Sequence, residues 1–352
     1  MQEIYFAAAN SGEGFRSFYH EIFNPLRFTR MYLIKGGPGT GKSTLMRRVA
    51  ERAERDGMTV RRYACSSDPE SLDGIAVGDG DFAMLDATAP HTQDPRFPGA
   101  AEALIDLGQF WDSRTLAAAR DEIVYRNTTK QAAYVRAYRF LAAICAVEQN
   151  TLAMLEECLD LPKLRGAVSR ALQSLPRAEG RIVPALVSSI GMHGEVNLPT
   201  LHHAARRSFV LTETRGGADL FLREVLALAR QKHLDAEAAY RYIDPTRLDG
   251  LYLPGGKVAF LDEVLIDERR PQDKQINMSR FYRPADLRRY RTELRKAAHC
   301  RADLFDGAAE AFAAVREAHF ALEAIYSAAM DYAALDAFCA PLIDHIFAEL
   351  SH

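Results

Sequence analysis

The sequence predicts an α/β protein whose two halves share one plan. Each half is a mixed, mainly parallel sheet flanked by helices and carrying a helical insertion. Three observations carry this expectation. A glycine-rich octapeptide sits between a strand-like and a helix-like stretch. From the end of this octapeptide onward, residues 41–86 match a later stretch of the chain without a gap. Long helix-periodic runs follow each copy.

The octapeptide is Gly36-Gly37-Pro38-Gly39-Thr40-Gly41-Lys42-Ser43. It follows Met31-Tyr32-Leu33-Ile34, an apolar run suited to a buried strand, and Thr44 opens Thr44-Leu45-Met46-Arg47-Arg48-Val49-Ala50, which suits a helix. Glycine-rich strand–loop–helix turns of this spacing form the phosphate-binding P-loop, or Walker A motif. The glycines let successive N–H groups point inward, and the helix start adds the positive end of its dipole. Lys42 is expected to reach the β- and γ-phosphates of a nucleoside triphosphate, and Ser43 to offer its hydroxyl to Mg²⁺.

Residues 41–86 align on 217–262 at a fixed offset of 176, with 13 of 46 positions identical. The clearest block is Asp68-Pro69-Glu70-Ser71-Leu72-Asp73-Gly74 against Asp244-Pro245-Thr246-Arg247-Leu248-Asp249-Gly250. The expectation is a tandem-duplicated P-loop NTPase. Its first domain spans 1–180, with a helical segment at 115–175. The second spans 181–352, with a helical segment at 285–350.

Each half should run from a strand (31–35, 208–212) through a turn into a helix (42–56, 218–233). Thr59-Val60-Arg61-Arg62-Tyr63 reads as a second strand, and its counterpart near 237–242 is less strand-like. Short apolar runs at 75–77 and 251–253 then lead through glycine-bearing turns into strands ending in Asp86 and Asp262. Such turns favour a hairpin, which makes each sheet mixed. The segments after them place Tyr138, Leu141, Ile144 and Leu155, or Leu304, Phe312, Val315 and Leu322, at helical spacing. Ala137–Ile144 also echoes Ala318–Ile325.

The second copy of the loop reads Glu213-Thr214-Arg215-Gly216-Gly217-Ala218-Asp219. Glu213 stands in place of Gly36, Ala218 replaces the lysine and Asp219 the serine, so two carboxylates would face a triphosphate without a lysine to offset them. Binding in the P-loop manner is expected only in the first half. The Asp-Pro-x-x-Leu-Asp-Gly block survives in both copies, which suits a structural turn.

Asp86 closes an apolar strand after the loop, the place of a Walker B aspartate that holds Mg²⁺. Lys42 and Asp86 are therefore the expected catalytic residues, with Ser43 and Asp86 as the metal ligands. Ala87 stands where many ATPases carry a water-polarising glutamate, so hydrolysis by that device is not expected. Asp68, Asp73, Thr88, His91 and Asp94 are candidates for a base, and Arg114, Arg139 and Arg215 for an arginine donor. No Asn-Lys-x-Asp guanine signature occurs, so ATP is the expected nucleotide.

Composition sets bounds on these readings. The chain is 48% hydrophobic and 26% charged with a net charge of −3, which gives no bulk attraction to nucleic acid or anionic lipid. Five scattered cysteines form no Cys-x-x-Cys pair and argue for a reducing compartment. The opening residues lack a leader pattern, and no membrane-spanning run is present, so a cytoplasmic protein is expected. Arg288-Arg289-Tyr290-Arg291 reads as a solvated helix face.

The chain resembles a family of bacterial tandem P-loop ATPases also labelled nucleotide kinase-like. The matching residues are Tyr5-Phe6-Ala7, Gly36 to Ser43, Cys65-Ser66-Ser67-Asp68, Ser71-Leu72-Asp73-Gly74, Asp86-Ala87-Thr88-Ala89-Pro90-His91, Pro98-Gly99-Ala100 and Leu107-Gly108-Gln109-Phe110-Trp111-Asp112. The likeness covers nearly the full length. In such relatives both loops resemble intact P-loops, whereas here the second is eroded. The resemblance implies ATP binding in the cytoplasm and no settled substrate. Three functions are open at this point: a Mg-dependent ATPase with one working site beside a regulatory or structural half, a nucleotide or small-molecule kinase, and a non-catalytic nucleotide sensor. The phosphate acceptor, any protein partner and the oligomeric state are not legible from the sequence.

Overall fold

The computed structural model describes residues 3–90 and 92–350. Two six-stranded mixed sheets, mostly parallel and flanked by helices, form the body of the protein. The first sheet is built from β1 (Glu3–Phe6), β4 (Arg30–Lys35), β5 (Val60–Ala64), β6 (Leu72–Val77), β7 (Phe82–Asp86) and β8 (Glu102–Asp106), in the order β1-β5-β6-β7-β4-β8. The second contains β9 (Ile182–Ala185), β12 (Arg207–Thr212), β13 (Ala236–Tyr240), β14 (Leu248–Leu253), β15 (Val258–Asp262) and β16 (Lys274–Asn277), in the order β9-β13-β14-β15-β12-β16. In each sheet a single strand, β6 or β14, runs against the rest. This is the hairpin expected from the glycine-bearing turns. The edge strands β1, β8, β9 and β16 carry weaker apolar patterns and were not expected.

Short hairpins precede β4 and β12: β2 (Ala8–Ser11) with β3 (Gly14–Ser17), and β10 (Ser188–Gly191) with β11 (Gly194–Asn197). Each reaches into the other half. Gly12 N–H donates to Ile243 O at 3.0 Å, and Met192 N–H donates to Ser67 O at 2.8 Å.

The helices are α1 (Tyr19–Ile22), α2 (Lys42–Arg55), α3 (Ser113–Ala118), α4 (Arg120–Cys158), α5 (Leu161–Ala171), α6 (Thr200–Ala204), α7 (Ala218–Gln231), α8 (Pro284–Arg289), α9 (Arg291–Ala328) and α10 (Tyr332–Glu349). Helix α2 forms because Leu45, Met46, Val49, Ala50 and Ala53 make one buried stripe. The near-continuous apolar run of β4 suits a strand hydrogen-bonded on both sides and covered on both faces.

The inner faces of the two sheets meet in one core. Met31, Leu33, Ala83 and Leu85 pack there with Ala239, Ala259, Leu261 and Leu265. Small alanines at this interface let the sheets approach. The outer faces are covered by helices, and the helical cover is exchanged. Helix α4, 39 residues long, spans roughly 58 Å at 1.5 Å per residue and carries the chain from one half to the other. Its successor α5 then buries Leu164 and Val168 in the second half's core with Phe209, Leu211 and Phe221. Helix α9 returns antiparallel to α4, and α10 buries Leu335, Cys339, Ile346 and Phe347 against Tyr32, Ile34 and Met46 of the first half.

Matching backbone hydrogen bonds pin the two crossings. Asp112 N–H donates to Ala329 O at 2.7 Å, and Asp331 N–H to Phe110 O at 2.8 Å. Their counterparts are Arg283 N–H to Cys158 O at 2.8 Å and Asp160 N–H to Phe281 O at 2.7 Å. These pairs set Leu159 beside Tyr282 as they set Met330 beside Trp111. The two long helices correspond by this register, which differs from the Ala137–Ala318 echo read from the sequence. The helical segment 115–175 is thus contiguous with the first half in sequence, yet its last helix belongs to the core of the second.

Candidate functional site

Parallel strands β4 and β7 lie side by side with Ile34 opposite Asp86, so the loop leaving β4 and the carboxylate ending β7 share one sheet edge. That carboxyl-end edge is where ligands settle in open α/β sheets. The loop 36–41 turns into α2 at Gly41, which adopts φ +85°, a left-handed conformation that favours glycine. The first-turn N–H groups of α2 have no intrahelical acceptor and point toward the loop.

Lys42 folds into this space. Its Nζ lies 3.5 Å from Asp86 Oδ2 and donates to Gly36 O at 3.1 Å and Gly37 O at 2.6 Å. Thr88 holds the opposite side, with N–H to Asp86 Oδ1 at 2.8 Å and Oγ1 to Gly36 O at 3.0 Å. Thr40 Oγ1 closes the loop on Gly37 O at 2.9 Å. Burial, followed by the nearby Asp73 carboxylate, pushes the Asp86 carboxyl above its usual range, while Lys42 opposes the shift. Ser43 Oγ accepts a hydrogen bond from Leu72 N–H at 2.9 Å. Pro38 and Gly39 form the turn of the loop, and Thr44 is exposed on the first turn of α2.

The sequence does not reveal what covers the loop, because those residues lie nearly three hundred positions downstream on α9 and α10. A Cβ at Gly37 would come within 2.9 Å of the Tyr326 ring, and one at Gly39 within 2.9 Å of Glu323 Cγ. Tyr332 donates its hydroxyl to Gly39 O at 2.8 Å. Glu323 is raised by burial and by Asp68, with Lys42 pulling the other way. His319 is lowered by burial, Lys130 and Lys42. Glu323, His319 and Lys130 therefore sit in the electrostatic field of the loop. Their only signal in the sequence is polar residues interrupting a helical apolar pattern.

The candidate bases divide. Asp73 is buried beside Asp86. Asp68 is held by Ser71 Oγ at 2.7 Å and by His193 at 3.1 Å, a residue contributed by the second half's hairpin. Asp94 pairs with Lys35 at 3.1 Å and is largely exposed. His91 lies outside the described residues. Arg114 and Arg139 are exposed, and Arg215 lies in the second half's cleft.

The corresponding place in the second half is built differently from the expectation. Asp219 does not face a cleft. Its carboxylate accepts from Leu248 N–H at 2.9 Å, the bond that Ser43 accepts from Leu72, and it pairs with Arg223 at 2.9 Å. The buried Arg247 donates to Gly216 O at 2.5 Å and lies 3.3 Å from Glu148. Arg247 thus brings a positive charge to the loop whose helix start carries Ala218 in place of a lysine. The Asp-Pro turn is common to both halves, with Ser71 N–H donating to Asp68 O and Arg247 N–H to Asp244 O.

A separate group, His202, His203 and Asp267, has a spacing that could hold a metal ion. Its members are already hydrogen-bonded, His202 to Asp273 at 2.8 Å and His203 to Asp267 at 2.7 Å, which ties α6 to the 267–273 loop. No helix among the described residues is long and apolar enough to cross a membrane. Comparison with protein-family models, curated proteins and solved structures finds no match to this chain.

Proposed function

We propose that the chain is a cytoplasmic, Mg²⁺-dependent ATP-binding P-loop protein that hydrolyses ATP at the loop 36–43. The observation that carries this reading is the placement of Lys42 within 3.5 Å of Asp86 at the shared end of two parallel strands, beside a helix start preceded by a left-handed glycine. A triphosphate entering the loop would take Lys42 from the carbonyls of Gly36 and Gly37 and meet the N–H groups of residues 39–44. The donor set fits magnesium: Ser43 Oγ and Asp86 Oδ2 are hard oxygen donors, and the neighbouring Asp73 and Asp86 carboxylates favour a divalent cation between them and the phosphates. Bound there, the ion would neutralise charge on the transferring phosphoryl group.

Ala87 leaves the position after Asp86 without a base. Glu323, brought over the loop by α9, is the carboxylate best placed to orient water, and burial and Asp68 raise its pKa. The second half would then complete the first half's site. The common strand order and the matching crossings support an origin by tandem duplication, with the family resemblance as a consistent prior. Phosphate release from Mg-ATP, measured with and without candidate nucleosides, tests the reaction. Basal release that falls in Glu323→Gln supports hydrolysis. Consumption only with an acceptor replaces it with phosphotransfer, and binding without consumption replaces it with sensing.

A further inference from the structure

The second half holds a cleft of about 880 Å³ bounded by the loop at 214–216, the end of β15 and the start of α9. Six arginines line it: Arg215, Arg241, Arg288, Arg291, Arg295 and Arg301. Three carboxylates oppose them, Glu148, Asp262 and Glu263. Glu148 is already consumed by Arg241 at 2.8 Å and Arg301 at 2.7 Å. Glu263 is approached by Arg269 from outside the cleft at 3.8 Å. Burial and Asp249 raise Asp262 to about 7, which weakens it as a counter-charge near neutral pH. Among the described residues, Arg215, Arg288, Arg291 and Arg295 pair with no carboxylate. The last three stand at i, i+3 and i+7 along the end of α8 and the start of α9, and all line the cleft.

A concave surface that gathers four unpaired guanidinium groups concentrates anions, and the planar fork of arginine matches phosphate oxygens in pairs. Val264, Pro284, Leu287 and Leu294 add apolar surface to the lining. The volume is that of a pocket for a small organic molecule. We propose that this cleft binds a phosphorylated small molecule of nucleotide size, its phosphates on the arginines of α8 and α9 and its organic body against the apolar side chains of the lining. The binding mode is unlike that of the first half, because side-chain forks replace the backbone cradle. The proposal does not depend on ATP binding at Lys42.

The test is calorimetric titration of the full-length Lys42→Ala protein with ATP and, separately, with inorganic pyrophosphate, both without magnesium. Binding of at least one probe is expected, at least about tenfold weaker in Lys42→Ala combined with Arg291→Ala and Arg295→Ala, with circular dichroism unchanged. The exposed positions of both arginines make loss of folding an unsuitable explanation, and Thr292→Ala on the same helix turn serves as the control that retains affinity. The proposal is overturned if neither probe binds, or if the arginine substitutions leave the affinity unchanged.

Discussion

Three of the residue exchanges between the two halves bear on charge at the loop: Lys42 against Ala218, Ser43 against Asp219, and Ser71 against Arg247. Each is small, and together they relocate a positive charge from the helix start to the Asp-Pro turn. Asp219 takes over the backbone bond of Ser43 and gains Arg223, which explains why a carboxylate persists in a nearly buried position. Around it, Glu148 is held down to about 2 by Arg241, Arg301 and Arg247 despite burial. A folded-state pKa below the ordinary 4.5 contributes stability that is present above pH 4.5 and lost as pH falls through 2. Glu148→Gln should therefore cost about 3–5 kcal/mol at neutral pH, with the deficit shrinking below pH 4.5, as read from urea denaturation at several pH values. Asp262 has the opposite sign. Its raised value means stability is intact below about pH 4 and declines as pH rises through 7. Asp262→Asn should stabilise the protein at pH 8 and have little effect at pH 4. A stabilisation of equal size at both values would count against a buried, titrating carboxyl.

At the scale of elements, the loop at 36–43 is clamped between α2 and the ends of α9 and α10. Gly39 has φ +70° and faces Ser327 and Glu323. Gly39→Ala should displace the clamp, and an at least tenfold loss of Mg-ATP affinity with little change in overall stability is expected, measured by titration and thermal melting. The exchanged helix α10 matters differently. Ile346 is wholly buried against the outer face of the first sheet, so Ile346→Ala should destabilise the fold by about 2–5 kcal/mol in urea unfolding. The strands flanking the loop, the helix after it and the hairpin-bearing mixed sheet were legible in the sequence, because each has a strong local period or a glycine-bearing turn. The edge strands were not, since Glu102–Asp106 and Lys274–Asn277 owe their conformation to pairing with β4 and β12 more than to their own pattern. The covering residues Glu323 and Tyr326 were equally hidden, since only tertiary packing brings α9 over the loop.

For the whole molecule, the exchange of α5 and α10 makes each half's core depend on chain from the other. The helical segments 115–175 and 285–350 were expected from the sequence, but helical periodicity carries no information about which sheet receives a helix. A fragment ending at residue 180 keeps α2 but lacks α10, which uncovers part of the outer face of the first sheet, while α5 has lost its seat. It should show no cooperative urea transition, whereas the full chain should unfold as one unit; an independently stable fragment would contradict the exchange. The arginine cleft likewise emerged only at this scale, since Arg215, Arg241 and Arg295 are brought together from a loop, a strand end and a helix. The central claim remains the loop at 36–43. Its most direct test is a calorimetric titration of Mg-ATP into wild-type and Lys42→Ala protein. The wild type should show a magnesium-dependent binding event that is absent, or at least about a hundredfold weaker, in the variant. Identical isotherms from the two proteins would contradict the assignment.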